Sequence, residues 1–368
     1  MTDRYDDHRD YNSSFRSGRR SDRHAAHKRA RRSAAPRPRE ASMTAPMRSV
    51  GNSAGRQRVP NRRNKWIWIG AILGILGLAL ASGLYYYFSV AGNLKPPAAD
   101  AKEIEQALDA PPKTGVESNF TYVLILGNDR KPGESRARSD TIIVARLDKR
   151  DNSVLMLSIP RDTRVEVPGH GTTKINHASS YGGIPLSIET VKNFTGLPIN
   201  HYVEIDFEGF AAVVDALGGV TMNVERTSVY TGGVVNKGTQ VLNGKEALAV
   251  VRNRKGYADG DFARMRNQQA FLLALAKKMS EPANIAKIPN VMNKVSDDAT
   301  TDLSVPEVVS LVRQYGSGLT ASRMNAYSMP GTTGTIGGVS YVLATQPAAG
   351  ELFAAIGRGE TPVKPGTK

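Results

Sequence analysis

No cysteine occurs in the 368 residues, which excludes a disulfide framework, thiolate chemistry and Cys-ligated zinc, and leaves the compartment open. Phosphate-cradling glycine loops are also missing: there is no Walker A sequence and no Gly-rich dinucleotide turn after a strand. No histidine pair has metalloprotease spacing, and no G-x-S-x-G elbow is present. His170, His177 and His201, the histidines beyond the N-terminal tail, are read as structural. Acidic residues are scarce over 1–65, where 6 Asp+Glu face 18 Lys+Arg, so this tail carries 12 of the 15 net positive charges. Large apolar residues are few there as well. Such a segment cannot bury enough surface to offset its ordering entropy, so residues 1–65 are expected to be a disordered basic tail.

The next absence is of charge altogether. Residues 66–90, WIWIGAILGILGLALASGLYYYFSV, hold no charged side chain over 25 positions. As a helix that length crosses a hydrocarbon core of about 30 Å. Trp66 and Trp68 at one end and Tyr85, Tyr86 and Tyr87 at the other form interfacial belts. Arg62, Arg63 and Lys65 precede the span and only Lys95 closely follows it. The positive-inside rule therefore predicts a single-pass signal anchor in the cell membrane, with its N-terminus cytoplasmic and the rest of the chain extracytoplasmic. A cleaved signal peptide fits badly, because the apolar run is too long and starts too late. Gly70 and Gly74 have the small-xxx-small spacing of paired helices, a match common by chance, so a homodimer is only an alternative. The basic tail is expected to lie beside the membrane and not to bind nucleic acid.

Residues 91–117 hold two Pro-Pro pairs around a short helical stretch at 99–108 and are read as an extracytoplasmic linker. From 118 to 360 the pattern is globular, with 361–368 left as a C-terminal tail. β-Branched runs predict strands over 120–126, 141–147 and 154–159, with further strands at 201–205 and 220–224. Helical patterns cover 187–194, 206–217, 242–251, 261–279, about 305–315 and 346–356. Strands interleaved with helices predict a layered α/β domain.

The densest chemistry lies in residues 250–275, VVRNRKGYADGDFARMRNQQAFLLAL. Arginine forks match carboxylate and phosphate oxygens in pairs. Arg264 and Gln268, four apart on a helix, share a face, whereas Arg266 lies about 200° around from Arg264 and is assigned to solvent. Arg252 and Arg254 share a face only if their segment is extended. Earlier in the chain, Asp129 follows the first strand and Asp140 opens the second, so a long-looped hairpin brings both carboxylates to one sheet edge. Pro160 ends the third strand and leaves Arg161 at its C-terminal end, the edge where ligands bind in layered α/β domains. This predicts an anion site of Arg138, Arg161, Arg252, Arg254 and Arg264, with Asp129 and Asp140 suited to a Mg²⁺ (or Mn²⁺) shared with substrate phosphates.

With these residues in place the chain resembles the LytR-CpsA-Psr family of cell-wall glycopolymer transferases. The matching motifs are LILGND (124–129), RSDTIIV (138–144), SIPRDTRV (158–165), KINHASSYGG (174–183), NHYVEIDFEGF…VDALGGV (200–220) and LNGKEALAVVRNRK…GDFARMRNQQ (242–269). They occur in the family's order, and together they are specific where each alone is weak. The resemblance implies an α/β/α domain with a central mixed sheet and a long apolar groove for a polyprenyl tail. It implies an Mg-dependent transferase that moves a glycopolymer from a polyprenyl-pyrophosphate carrier onto peptidoglycan. Carried over by position, Asp129 and Asp140 are the metal carboxylates, and Arg138, Arg161, Arg252, Arg254, Arg264 and Gln268 hold the pyrophosphate. Asp129, Arg161 and Arg264 are the candidate catalytic residues, with Asp129 favoured over Asp140 as the base. The chain departs from the family pattern at Ala263, where glycine is usual, and at Asn267, where a second helix arginine is usual. The rival readings are a polyprenyl-pyrophosphate phosphatase, and a membrane-tethered regulator whose basic tail binds nucleic acid.

Overall fold

The computed structural model of the chain describes residues 78, 98–130, 134, 136–254, 257, 261–316, 320 and 322–362. The tail over 1–65 and, apart from residue 78, the apolar span over 66–90 lie outside the described residues. Among the described residues no helix is long and apolar enough to cross a membrane.

The first described helix, α1 (Ala98–Ala107), matches the short helical stretch predicted at 99–108. Ile104 is buried in the main core and Leu108 packs against it. Just beyond, the Asp109 carboxylate accepts from Lys192 Nζ at 2.8 Å and from the Ile199 amide at 3.1 Å. The Pro-Pro pairs argue for a spacer, but Ile104 and Leu108, four apart, form an apolar stripe that needs a partner.

Three strands follow in an antiparallel meander: β1 (Phe120–Asn128), β2 (Ser139–Asp148) and β3 (Ser153–Ser158). The β2–β3 turn runs through Asn152 at φ 54, a left-handed position that asparagine tolerates. A short hairpin, β4 (Arg164–Val167) and β5 (Gly171–Lys174), leads into α2 (His177–Thr195). This helix is longer than the predicted 187–194. Gly183 (φ 66) breaks it internally and Pro185 restarts it, and those breakers mask its first half in the sequence.

Next come β6 (His201–Ile205), parallel to β1, and α3 (Phe207–Ala216), capped by the Asp206 carboxylate on the Gly209 amide. Four short strands, β7 (Val220–Val224), β8 (Ser228–Tyr230), β9 (Gly233–Val235) and β10 (Gly238–Leu242), form two small antiparallel pairs. An Asn243/Glu246 capping box starts α4 (Gly244–Arg252), which precedes the long α5 (Asp261–Ser280). The chain ends through α6 (Pro282–Ile285), α7 (Ile288–Lys294), β11 (Ala299–Thr301), α8 (Val305–Leu311) with a wide turn over Val312–Gly316, β12 (Met324–Ser328), the hairpin β13 (Gly331–Ile336) and β14 (Val339–Ala344), and α9 (Ala348–Gly357).

The central sheet is six-stranded and mixed, in the order β11-β6-β1-β2-β3-β12. Alternation along the strands gives each face its own helices. Leu124, Leu126, Ile142, Val144, Leu155 and Leu157 meet Ile188 and Val191 of α2 and Phe353 and Ile356 of α9. Ile143, Val154 and Met156 on the other face meet Leu272, Leu273 and Ala276 of α5. β1, β3, β6 and β12 run parallel to one another and β2 runs against them. The C-terminal ends of those four strands and the start of β2 therefore share one edge, and the site lies there.

Candidate active site

The site begins with a register fault. β1 and β2 pair regularly up to Gly127↔Thr141, but the next pair is Asn128↔Ser139, so Asp140 is a bulged extra residue. A bulge re-aims a side chain. Asp140 therefore joins Thr141 and Ile143 on the wall of one cavity instead of turning to the opposite face. Gly127 permits the close approach, since a Cβ there would sit 3.1 Å from Thr141 Cβ.

Helix α5 supplies the facing wall. Arg264 is 5% exposed and donates from Nη2 to the Asp140 carbonyl at 3.3 Å. One turn on, Gln268 Nε2 donates to Thr141 Oγ1 at 2.9 Å. Gln269 points to the sheet, donating to Ser158 Oγ (2.8 Å) and to the Tyr327 carbonyl (3.0 Å), and so fixes α5 against β3 and β12. Arg266 is exposed, on the side away from Arg264, as its helical phase predicts. Asn267 is buried and its Nδ2 lies 3.4 Å from both the Val250 carbonyl and Tyr257 Oη, so it faces α4 and does not line the cavity.

Arg252 closes α4 with its guanidinium 4.2 Å from the centre of the Phe207 ring, and Asn253 is extended at φ −68, ψ 124. That extension lets Arg252 and Arg254 both line the cavity. Arg161 does not line it directly. Its Nη1 lies 2.5 Å from Asp140 Oδ1, so it reaches the site through that carboxylate. Behind it, Asp162 lies 2.8 Å from Lys174 Nζ and 3.6 Å from Arg161 Nε. Burial alone would raise the Asp162 pKa, but the Lys174 hydrogen bond and the charges of Arg161, Lys174 and Arg264 hold it below the usual 3.8.

Asp129 and Arg138 are exposed, and neither lines the cavity. Arg138 acts instead on His177. Burial lowers the imidazole's pKa below 6.5, Arg138 and Lys174 lower it further, and Asp162 opposes them. Sequence reasoning missed Thr141, Asp206, Phe207 and Phe210, which also line the cavity. Asp206 was legible as a cap directly after a strand, although only the sheet order puts that strand end beside Asp140.

The cavity holds about 180 Å³ and does not stop at the charged groups. Ile125 and Leu272 line both it and an adjoining apolar groove of about 250 Å³. That groove runs between the sheet (Val123, Ala145, Leu147, Met156) and Leu275, Met279, Leu311 and Tyr315. Small residues at Ala145, Ala276 and Gly316 leave the space unfilled. Among the described residues no three acidic or histidine side chains cluster as a metal cage. The oxygens at the bulge, the Asp140 carboxylate and the Thr141 hydroxyl, are hard donors. They fit a Mg²⁺ that takes its remaining ligands from water and phosphate.

The fold and the site define a member of one family: residues 86–356 match the model of the LytR_cpsA_psr family, and the chain belongs to it. Among its relatives is the polyisoprenyl-teichoic acid–peptidoglycan teichoic acid transferase TagU of Halalkalibacterium halodurans, 37% identical over 255 residues, 68% of this chain and 83% of that protein. TagU of Bacillus subtilis is 30% identical over 302 residues, 80% of this chain and 96% of that protein. The crystal structure of B. subtilis TagV is similar with a TM-score of 0.59 at 34% identity, covering 66% of this chain and 99% of that one. A structure of TagT bound to LI-WTA gives 0.56 at 28% identity, covering 67% of this chain and 94% of that one.

Proposed function

We propose that this chain transfers a glycopolymer from a polyisoprenyl-pyrophosphate carrier onto a peptidoglycan hydroxyl, outside a membrane to which residues 66–90 anchor it. The observation that carries this reading is one continuous sheet face on which an arginine-lined cavity opens into an apolar groove. An anionic head on a long hydrocarbon tail matches both halves at once. The relatives named as teichoic acid transferases support the reaction class and point to a teichoic-acid-like polymer.

Arg252, Arg254 and Arg264 bind the pyrophosphate, and Gln268 orients Thr141 beneath it. Arg161 pairs with Asp140 and fixes it at the bulge. The acceptor oxygen attacks the phosphorus that bears the sugar and a new P–O bond forms. The bridging P–O bond breaks, polyisoprenyl phosphate leaves, and Asp129 takes the hydroxyl proton. The buried Arg264, with Arg252 and Arg254 at the exposed side of the cavity, stabilises the charge that grows on the departing phosphate, where preorganised donors act most strongly. Asp140 and the Thr141 hydroxyl would hold a Mg²⁺, which would supply further neutralisation of the phosphate oxygens.

The test supplies purified full chain with a polyisoprenyl-pyrophosphate glycopolymer and peptidoglycan. Mass spectrometry of the wall fraction is expected to find the polymer covalently attached. Polymer released only into water would replace the transferase with a phosphatase.

A further inference from the structure

We propose that the β8–β9 hairpin is a membrane-contact element, its outer face seated in the interface of an anionic lipid bilayer beside the mouth of the arginine cavity. Ser228 and Val235, paired at the hairpin base, are buried against the α4 side of the fold. Alternation sends the next pair outward, where a solvated hairpin carries polar residues. Here that pair is Val229 and Val234, 78% and 53% exposed and directly opposite each other. From Thr227 to Asn236 the hairpin has no charged residue, and Tyr230 stands at its turn. Cations flank the base on both chains, Arg226 before and Lys237 after, with Glu225 the one acid beside them. The Lys237 amide donates to Thr227 Oγ1 at 3.3 Å, which holds the two flanks together. An apolar tip above a basic collar suits an anionic lipid surface.

Two contacts tie the hairpin to the site. Asn253, between the cavity arginines, donates to Ser228 Oγ at 3.0 Å. Arg226 lies over the Tyr257 ring at 5.4 Å. A hairpin resting on the bilayer thus brings Arg252 and Arg254 close to the lipid phosphates, where a lipid-borne pyrophosphate resides. The proposal rests on reading the cavity as the site for that pyrophosphate.

Because the chain has no cysteine, V229C gives full-length protein a single labelling position. Acrylodan on that residue is read in phosphatidylcholine–phosphatidylglycerol vesicles and compared with V339C. Val339 sits in the other exposed apolar pair, Ile336–Val339, which no charged residue flanks over 331–344. Vesicles are expected to blue-shift the label at 229 and to let nitroxide-bearing lipids quench it, with neither effect at 339. No shift at 229, an equal response at both positions, or a shift that follows protein concentration without lipid (a second copy as the occupant) overturns the proposal. In a second arm, V229D/V234D is expected to slow transfer from a vesicle-borne long-chain donor several-fold and to leave a short water-soluble donor unaffected. Equal slowing of both donors counts against the membrane contact. Failure of the transferase reading abolishes transfer from both donors in the unmodified protein but leaves the probe result intact.

Discussion

The two faces of the central sheet are built from the same strands and finished differently. On the α2/α9 face, Leu124, Leu157 and Ile188 are fully enclosed, and Phe194 meets Phe353 edge-on at 5.4 Å. On the α5 face, Ile125, Leu147, Leu272 and Leu273 are only partly buried, and about 250 Å³ between sheet and helices stays open. Protein interiors are otherwise packed like crystals. Apolar surface left uncovered beside a cavity lined by Arg252, Arg254 and Arg264 is therefore a binding surface. One face holds the fold together, and the other is shaped for a ligand.

The largest expected effect tests that division directly. Leu157→Ala removes a fully buried side chain from the packed face and should cost about 2–5 kcal/mol in urea unfolding. Leu272→Ala on the open face should cost only about 1 kcal/mol while weakening use of long-chain donors. Similar losses of stability would erase the contrast between the faces. Next in size, Arg264→Ala is expected to lower the transfer rate about 10²–10³-fold, and near-normal turnover would remove Arg264 from the site. Overfilling a packed core costs about 1–3 kcal/mol. Ala145→Leu, in the floor of the open groove, should instead leave the melting temperature unchanged or raised and block long polyisoprenyl chains. A clear drop in melting temperature would mean that the groove is not open space.

Two smaller effects concern the rim of the site. Burial, then Arg138 and Lys174, hold the folded pKa of His177 below its unfolded value of about 6.5. The folded state therefore binds fewer protons in that window. The resulting stability is fully present above pH 6.5 and is lost as pH falls through the folded pKa. His177→Gln should flatten this part of the pH–stability curve, and an unchanged slope would assign it to other groups. Smallest of all, Arg266→Ala should shift stability by no more than about 0.5 kcal/mol and leave transfer intact. A large loss of activity would bring Arg266 into the site after all.

Much of the architecture was legible in the chain. The β-branched runs gave the strands at 201–205 and 220–224 with their observed bounds, and helical phase separated Arg264 and Gln268 from Arg266. Counting arginines was less informative. Arg146 is only 2% exposed, yet its guanidinium spans the carbonyls of Ile356 and Glu360 on the packed face, remote in role from any ligand. The α1 helix was legible between its proline pairs, but the partner of Ile104 lies far along the chain and no local signal names it.

Periodicity, turn chemistry and helical phase depend on neighbours within a few residues, so the amino-acid sequence alone settled β1, β2, β3, β6 and β7 and the faces of α5. Long-range register decided the rest. The bulge that aims Asp140 into the cavity exists only because Gly127 pairs with Thr141 and Asn128 with Ser139. Arg161 meets Asp140 because β2 and β3 run antiparallel and share an edge. Asp206 joins that wall because β6 crosses back to lie beside β1. The groove is a volume left unfilled by side chains that are distant in sequence, and no local pattern encodes an unfilled volume.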